Sequence, residues 1–334
     1  MQVTALVWGI TILVILGLFV FDFFAHVRTP HEPTFRESGF WSAVYIGLAL
    51  AFGGVIAWKW GGTFAGEYYA GFVTEKALSV DNLFIFLIIM STFAVPRIYQ
   101  QKVLLIGIVV ALVMRGVFIA VGAAAISAFS WVFYLFGFFL VYTAAKLLKE
   151  SGHEVEEEQK RDSRIVALIK RFVPTTETYD GDKLVTRIDG RRALTPMLLA
   201  LVAIGFADLL FALDSIPAIY GLTEEPYIVF TANAFALMGL RQLFFLIGGL
   251  LDRLVYLSYG LAAILAFIGV KLILHALHEN NLPFINGGEH VSVPEISTAL
   301  SLSVILGILV VATVASLLRT RGQSRPKSAA GPGE

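Results

Sequence analysis

Nine runs of roughly twenty apolar residues, with nearly all the charge gathered between them, set the limits on what this chain can fold into. A helix of about 20 residues spans the hydrocarbon core of a bilayer. The runs fall at about 3–25, 41–58, 67–91, 103–126, 130–149, 194–220, 228–250, 255–276 and 296–318. Only 15% of the 334 residues are charged and 57% are apolar, against roughly a quarter charged in ordinary soluble domains. A soluble core of this size would show amphipathic stripes and polar connections throughout, and this chain does not. The expected fold is therefore all-α, a polytopic membrane protein of about nine transmembrane helices.

Local punctuation marks several ends. Pro96 follows the third run, Thr195-Pro196 reads as an N-cap with proline at the first helical position, and Glu224-Glu225-Pro226 places acids and a proline at a helix start. The first run has no basic segment before it and no small-residue cleavage site, so it is expected to be a retained span rather than a signal peptide.

Orientation follows from Lys and Arg on alternate sides of the membrane. With the N-terminus outside, the inner segments hold nineteen of them and the outer segments hold Lys59 alone. The C-terminus is then cytoplasmic. One transmembrane domain over residues 1–320 is expected, with a charged cytoplasmic loop at 150–193 and a disordered tail at 321–334. Within the loop, residues 165–172 fit either a solvated connection or a short amphipathic helix on the inner surface.

Spans three to five (67–149) resemble spans six to eight (194–276). Span three carries Glu75, Ser79, Asp81 and Asn82; span six carries Asp208, Asp214 and Ser215. Each copy has two acids six residues apart, the second followed by Asn or Ser. Arg115 and Lys146 follow in the first copy, Arg241 and Lys271 in the second, at separations of 31 and 30 residues. A unit of three spans inserts its second copy upside down, which is the inverted-repeat plan of many secondary transporters, with the site near the midplane between copies.

An ionised carboxylate inside an apolar run is costly and marks a function by default. Glu75, Asp81, Asp208 and Asp214 admit three readings: structural ion pairs with Arg115 and Arg241, proton carriers, or ligands of a cation. The cation reading is preferred, and it is compatible with proton carriage. At about 100° per residue, Glu75, Ser79 and Asn82 share a helix face while Asp81 points about 120° away. One metal could use both acids of a span only where the helix loosens, and Pro217, which leaves the carbonyl of Leu213 without its donor, suggests such a place. The expected site is then Glu75, Asp81, Asp208 and Asp214, with Ser79, Asn82 and Ser215 alongside.

No histidine sits in a span centre and no cysteine exists anywhere in the chain, so the ligands are oxygens. Such a set suits Mg²⁺, Ca²⁺ and Mn²⁺ over copper, zinc or nickel. Arg115 and Arg241 are placed to compensate charge, pairing with Asp81 and Asp214. Lys146 and Lys271, nearer span ends, are expected to snorkel, and Asn233 is either a ligand or a helix–helix hydrogen-bonding group. Lys76 has no assigned role.

On the stretches 75–82 and 211–218, with Asp180-Gly181-Asp182 and the segment from Thr231 to Arg241, the sequence resembles the TerC family over residues 1 to about 276. The resemblance implies a bacterial-type inner-membrane protein that exports manganese, with links to tellurium resistance, and it points to Glu75, Asp81, Asp208 and Asp214. Many members carry a further acid where this chain has Gly205. The implied partners are the divalent ion and the bilayer, not nucleic acid; no cofactor is implied, and manganese(II) is the substrate. No P-loop supplies ATP chemistry, so the energy must come from an ion gradient or a partner. The alternative is a non-transporting scaffold or sensor in metal or tellurite stress. An intramembrane enzyme has no nucleophile–base pair to stand on.

Overall fold

The apolar runs fold as helices, and three helix starts fall where the sequence punctuates them, after Pro96, at Pro196 and at Pro226. The computed structural model describes residues 1–28, 31–129, 131–150, 176, 179–188, 191–247, 256–279, 282 and 285–323. Helix α1 (Ala5–Asp22) runs into a π-turn at Phe23–Val27. It is followed by α2 (Phe35–Trp60), α3 (Gly62–Thr92), α4 (Arg97–Ala128) and α5 (Val132–Glu150). A hairpin of β1 (Val185–Ile188) and β2 (Arg191–Leu194) precedes α6 (Pro196–Tyr220), α7 (Pro226–Leu237), α8 (Leu240–Ile247), α9 (Leu257–His278) and α10 (Thr298–Gln323). Thr34 and Glu37 close a reciprocal capping box at the start of α2. Thr195 and Glu225 are the N-caps of α6 and α7, each with proline in the first turn.

Eight spans among the described residues are long and apolar enough to cross a membrane, α7 with α8 counting as one. The protein is an integral, multi-pass membrane protein. Helix α3 falls outside that set only by composition, because it carries Glu67, Glu75, Lys76 and Asp81. Its 31 residues reach roughly 46 Å at 1.5 Å per residue, enough to cross.

Four expectations need correction. The seventh span is not one helix: it breaks between α7 and α8, where Met238 is extended (ψ 136°) and Gly239 has φ +75°. A side chain at Gly239 would be strained by that φ, and its Cβ would press on Tyr45, only 3.1 Å from the Tyr45 Cβ. Pro217, by contrast, sits inside a continuous α6, so neither acidic motif lies on a loosened helix. The connection between the fifth and sixth spans contains the β1–β2 hairpin, paired antiparallel from Val185↔Leu194 to Ile188↔Arg191. Helix α10 continues to Gln323, past the expected start of the tail. Residues 165–172 and 324–334 lie outside the described residues.

Packing between the two three-span units is reciprocal. Helix α3 packs on α7, α4 packs on α6, and α5 lies along α9. The α5–α9 crossing is close because glycines face each other, the arrangement that lets membrane helices approach without side chains between. A Cβ on Gly137 would lie 2.9 Å from the Gly269 carbonyl oxygen and 3.1 Å from the Ile273 nitrogen. Both are backbone atoms and cannot swing aside. Gly137→Ala is therefore expected to destabilise by about 1–3 kcal/mol, the usual cost of overpacking. Gly54→Ala, in open space on α2, should be neutral or slightly stabilising. Thermal unfolding of the two purified variants checks the contrast.

Candidate functional site

Four helices bring one guanidinium and two carboxylates together in the middle of the bundle. Arg115 of α4 is 0% exposed. Its Nε and Nη2 donate to the two oxygens of Asp208 on α6, at 3.1 and 3.0 Å. Its Nη1 donates to Glu75 Oε1 on α3 and to Ser215 Oγ on α6 at 3.0 Å, with Asn233 Oδ1 on α7 at 3.5 Å. The Ser79 hydroxyl lies 3.5 Å from the same Glu75 oxygen. Asn82 is buried on the same face of α3.

The fork geometry explains why an arginine stands here. A planar guanidinium can grip one carboxylate with two parallel bonds and still donate to a second. Two atoms of the group remain buried and unpartnered, Glu75 Oε2 and Asn233 Nδ2. A buried carboxylate oxygen without a donor is costly, and that leaves Glu75 Oε2 able to accept a further donor or a cation.

The sequence-predicted residues are thus divided. Glu75, Ser79, Asp208, Ser215, Asn233 and Arg115 converge, with Asn82 buried near them. The partners of Arg115 are the first acids of the two motifs, Glu75 and Asp208, whereas the expected pairing was with a second acid. The side chain of Asp81 lies outside the described residues. Asp214 stands apart: it is half-buried on another face of α6 and accepts a hydrogen bond from Thr143 Oγ1 of α5 at 3.1 Å. Lys146, one turn on from Thr143, is exposed and within electrostatic reach of Asp214. Among the described residues, no three His, Asp or Glu side chains are grouped so as to hold a metal ion as they stand.

Arg241 is a correction. It does not meet Asp214 but sits at the start of α8, where Nη2 donates to Asp22 Oδ1 at 2.8 Å and Nη1 to Gln101 Oε1 at 2.7 Å. Tyr45 Oη and Gln242 Nε2 also donate to Asp22 Oδ1, at 2.7 and 3.2 Å. The break after α7 is the physical reason: it turns α8 away from the repeat's first helix and toward α1 and α2. From sequence Asp22, an acid near the end of an apolar run, suits an entry-path or interfacial role; the structure makes it the buried acceptor shared by Arg241, Tyr45 and Gln242.

Toward the expected outer face, a cavity of about 400 Å³ is lined by Glu67, Thr223, Glu224, Lys271 and His275, among others. Thr223 Oγ1 donates to Glu67 at 2.6 Å. His275 Nε2 lies 2.9 Å from Glu224, and that contact holds the Glu224 carboxyl below the usual carboxylate range. Lys271 lines this cavity, and burial there is partial. On the opposite side, Asp182 forms an ion pair with Lys102, and Asp180 accepts from Thr186 at 2.7 Å and from Lys183 at 3.0 Å. Both carboxyls are held low, Asp180 chiefly by the Thr186 hydroxyl and Asp182 chiefly by Lys102. The Asp-Gly-Asp stretch thus docks the hairpin against the start of α4.

Comparison with known proteins follows the same lines. The family model described as "Integral membrane protein TerC family" matches residues 60–324. An uncharacterized membrane protein of Mycobacterium tuberculosis is 52% identical over 97% of this chain and 82% of its own length. The chloroplastic thylakoid membrane protein TERC of Arabidopsis thaliana is 42% identical over 73% of this chain and 62% of its own. An Escherichia coli protein provisionally named membrane-bound redox modulator Alx is 35% identical over 92% of each chain. No solved structure matches.

Proposed function

The chain belongs to the TerC family of integral membrane proteins, and from that premise we propose that it is a secondary transporter exporting a divalent cation, manganese, from the cytosol. The observation that carries this reading is the Arg115 group. A fully buried arginine gripping the matched acids of two spans, beside an unpartnered carboxylate oxygen, is a charge-balanced device that a cation can open. Two acids, Glu75 and Asp208, stand against two cations, Arg115 and Lys76. A divalent ion entering among them replaces Arg115 as counter-charge, so binding and arginine movement are one event.

The second acids of the motifs, Asp81 and Asp214, then join Glu75 and Asp208 as ligands when the helices rearrange, with Ser79, Asn82 and Ser215 supplying neutral oxygens. Reciprocal packing of α3 on α7 and α4 on α6 supports two units related by an inverted repeat, which places such a group between the halves. Lifting a divalent ion out against about 100 mV, inside negative, requires roughly 4.6 kcal/mol, at about 2.3 kcal/mol per charge. Proton exchange through the same carboxylates is the proposed source. The name of the E. coli relative suggests redox chemistry. This chain contains no cysteine, so no thiol of its own can carry it.

The test is uptake of manganese, calcium, magnesium and zinc into inverted vesicles containing the protein. Manganese should accumulate and zinc should not, because the group offers no imidazole or thiolate. Zinc preferred over manganese would overturn the oxygen-ligand reading. Orientation is checked by reporters: one placed near Asp162 or after Arg319 should be cytoplasmic, and one near Gly287 external. A cytoplasmic reporter at Gly287 contradicts nine crossings.

A further inference from the structure

The central group leaves one neighbouring cation unexplained, and the broken seventh span explains it. Lys76 adjoins Glu75 on α3, but its side chain turns away from Arg115 toward the gap between α7 and α8. Its Nζ lies 2.9 Å from the Ala236 carbonyl oxygen and 3.3 Å from that of Met238. These oxygens end α7, and the final carbonyls of a helix lack intrahelical donors and carry the negative end of its dipole.

The backbone keeps those oxygens available. The Met238 N–H closes back on Ala234 at 3.0 Å, and the Gly239 carbonyl is taken by the Leu243 N–H at 2.9 Å. Between these two bonds the chain is extended at Met238 and left-handed at Gly239. The helix ahead ends and the helix behind begins, and an ammonium group fills the space between. Irregular backbone at this depth is tolerated where its polar groups find partners, and broken helices in transporters offer carbonyls to cations.

We propose that the carbonyls of Ala236 and Met238 form a monovalent-cation site at the break of the seventh span, and that the Lys76 ammonium occupies it as a tethered ion. Two consequences follow. The protein needs no alkali ion to hold the break together. The residue next to the Glu75 carboxylate is also fastened to the broken span, so movement of α7 against α3 acts directly on the central group. The proposal goes beyond the transport reading and is judged by stability, which does not depend on flux.

The experiment is thermal unfolding of the full-length protein in detergent, in potassium, sodium or choline chloride at equal ionic strength. Wild type should unfold at the same temperature in all three. Lys76→Ala opens the site, and its midpoint in choline should fall by roughly 5 °C, as expected for a lost charge-assisted contact. Potassium, which matches ammonium in size, should recover that loss in a saturable way, rising with the logarithm of concentration above its Kd; sodium should do so less well. Lys76→Met fills the opening with an apolar chain, so it should be destabilised and indifferent to salt. Lys76→Ser leaves a similar opening and gives the same readout should Lys76→Ala fail to accumulate. The proposal is overturned if the opened variants match wild type in choline, or lose stability equally in all three salts. A wild type stabilised specifically by potassium or sodium overturns it as well, and needs no variant.

Discussion

Asp208→Asn and Glu75→Gln should each bring manganese uptake into inverted vesicles close to background while the protein still inserts and folds. The two acids meet on one guanidinium, so each supplies negative charge to the point where a divalent ion must replace it. Losing a charged partner at a buried contact removes about 2–3 kcal/mol, or roughly 30- to 150-fold in affinity. Folding should survive because one acid remains for Arg115, and the amides still offer an oxygen at the same distance. Asp214→Asn is expected to lose less than Asp208→Asn. Its carboxylate rests on Thr143, outside the Arg115 group, and joins the ion only after the helices rearrange. Full flux in Asp208→Asn would remove the central group from the transport path. A larger loss in Asp214→Asn than in Asp208→Asn would move the principal binding point to the α5–α6 face.

The spans were legible because the bilayer leaves little choice. Eight of the nine expected runs each coincide with one helix among the described residues, the seventh folds as the α7–α8 pair, and proline with its flanking caps marked the starts of α6 and α7. The central group was half legible. Spacing of Glu75, Ser79 and Asn82 on one face of a straight helix was enough to bring them together, and Asp208 with Ser215 repeats that geometry. The same arithmetic turned Asp214 away, and the continuous α6 left it there.

What the sequence concealed was the break at Met238-Gly239. Hydropathy runs unbroken through it, and a glycine inside an apolar run is common in membrane helices. Only the three-dimensional position of Tyr45, Lys76 and Asp22 makes that glycine a corner. Once the corner is present, the symmetry read from Arg115 and Arg241 fails in a definite way. Arg115 stays at the centre with the first acids, whereas Arg241 is carried to Asp22 and Gln101. Lys76, which had no partner in a helical reading, gains two carbonyls. The same local event therefore accounts for one misplaced residue and one unassigned one.

Arg115→Leu is expected to be among the most destabilising single substitutions in the protein. It leaves Glu75 and Asp208 facing each other in a buried setting, without the donors that now satisfy three of their four oxygens. Removing one partner of a buried ion pair costs about 3–5 kcal/mol. At roughly 2–4 °C per kcal/mol for a chain of this order, the unfolding midpoint should fall on the order of 10 °C. The control is the variant that also carries Glu75→Gln and Asp208→Asn. Replacing a whole buried ionic group by neutral residues is often close to neutral for stability, so most of the lost midpoint should return. Manganese flux should not return with it, since the charges that draw the ion are gone. Thermal unfolding and vesicle uptake on wild type, the single variant and the triple variant separate the two roles of the group. An Arg115→Leu protein as stable as wild type would mean that Arg115 does not hold these acids together. A triple variant that recovers flux along with stability would place the transported ion elsewhere.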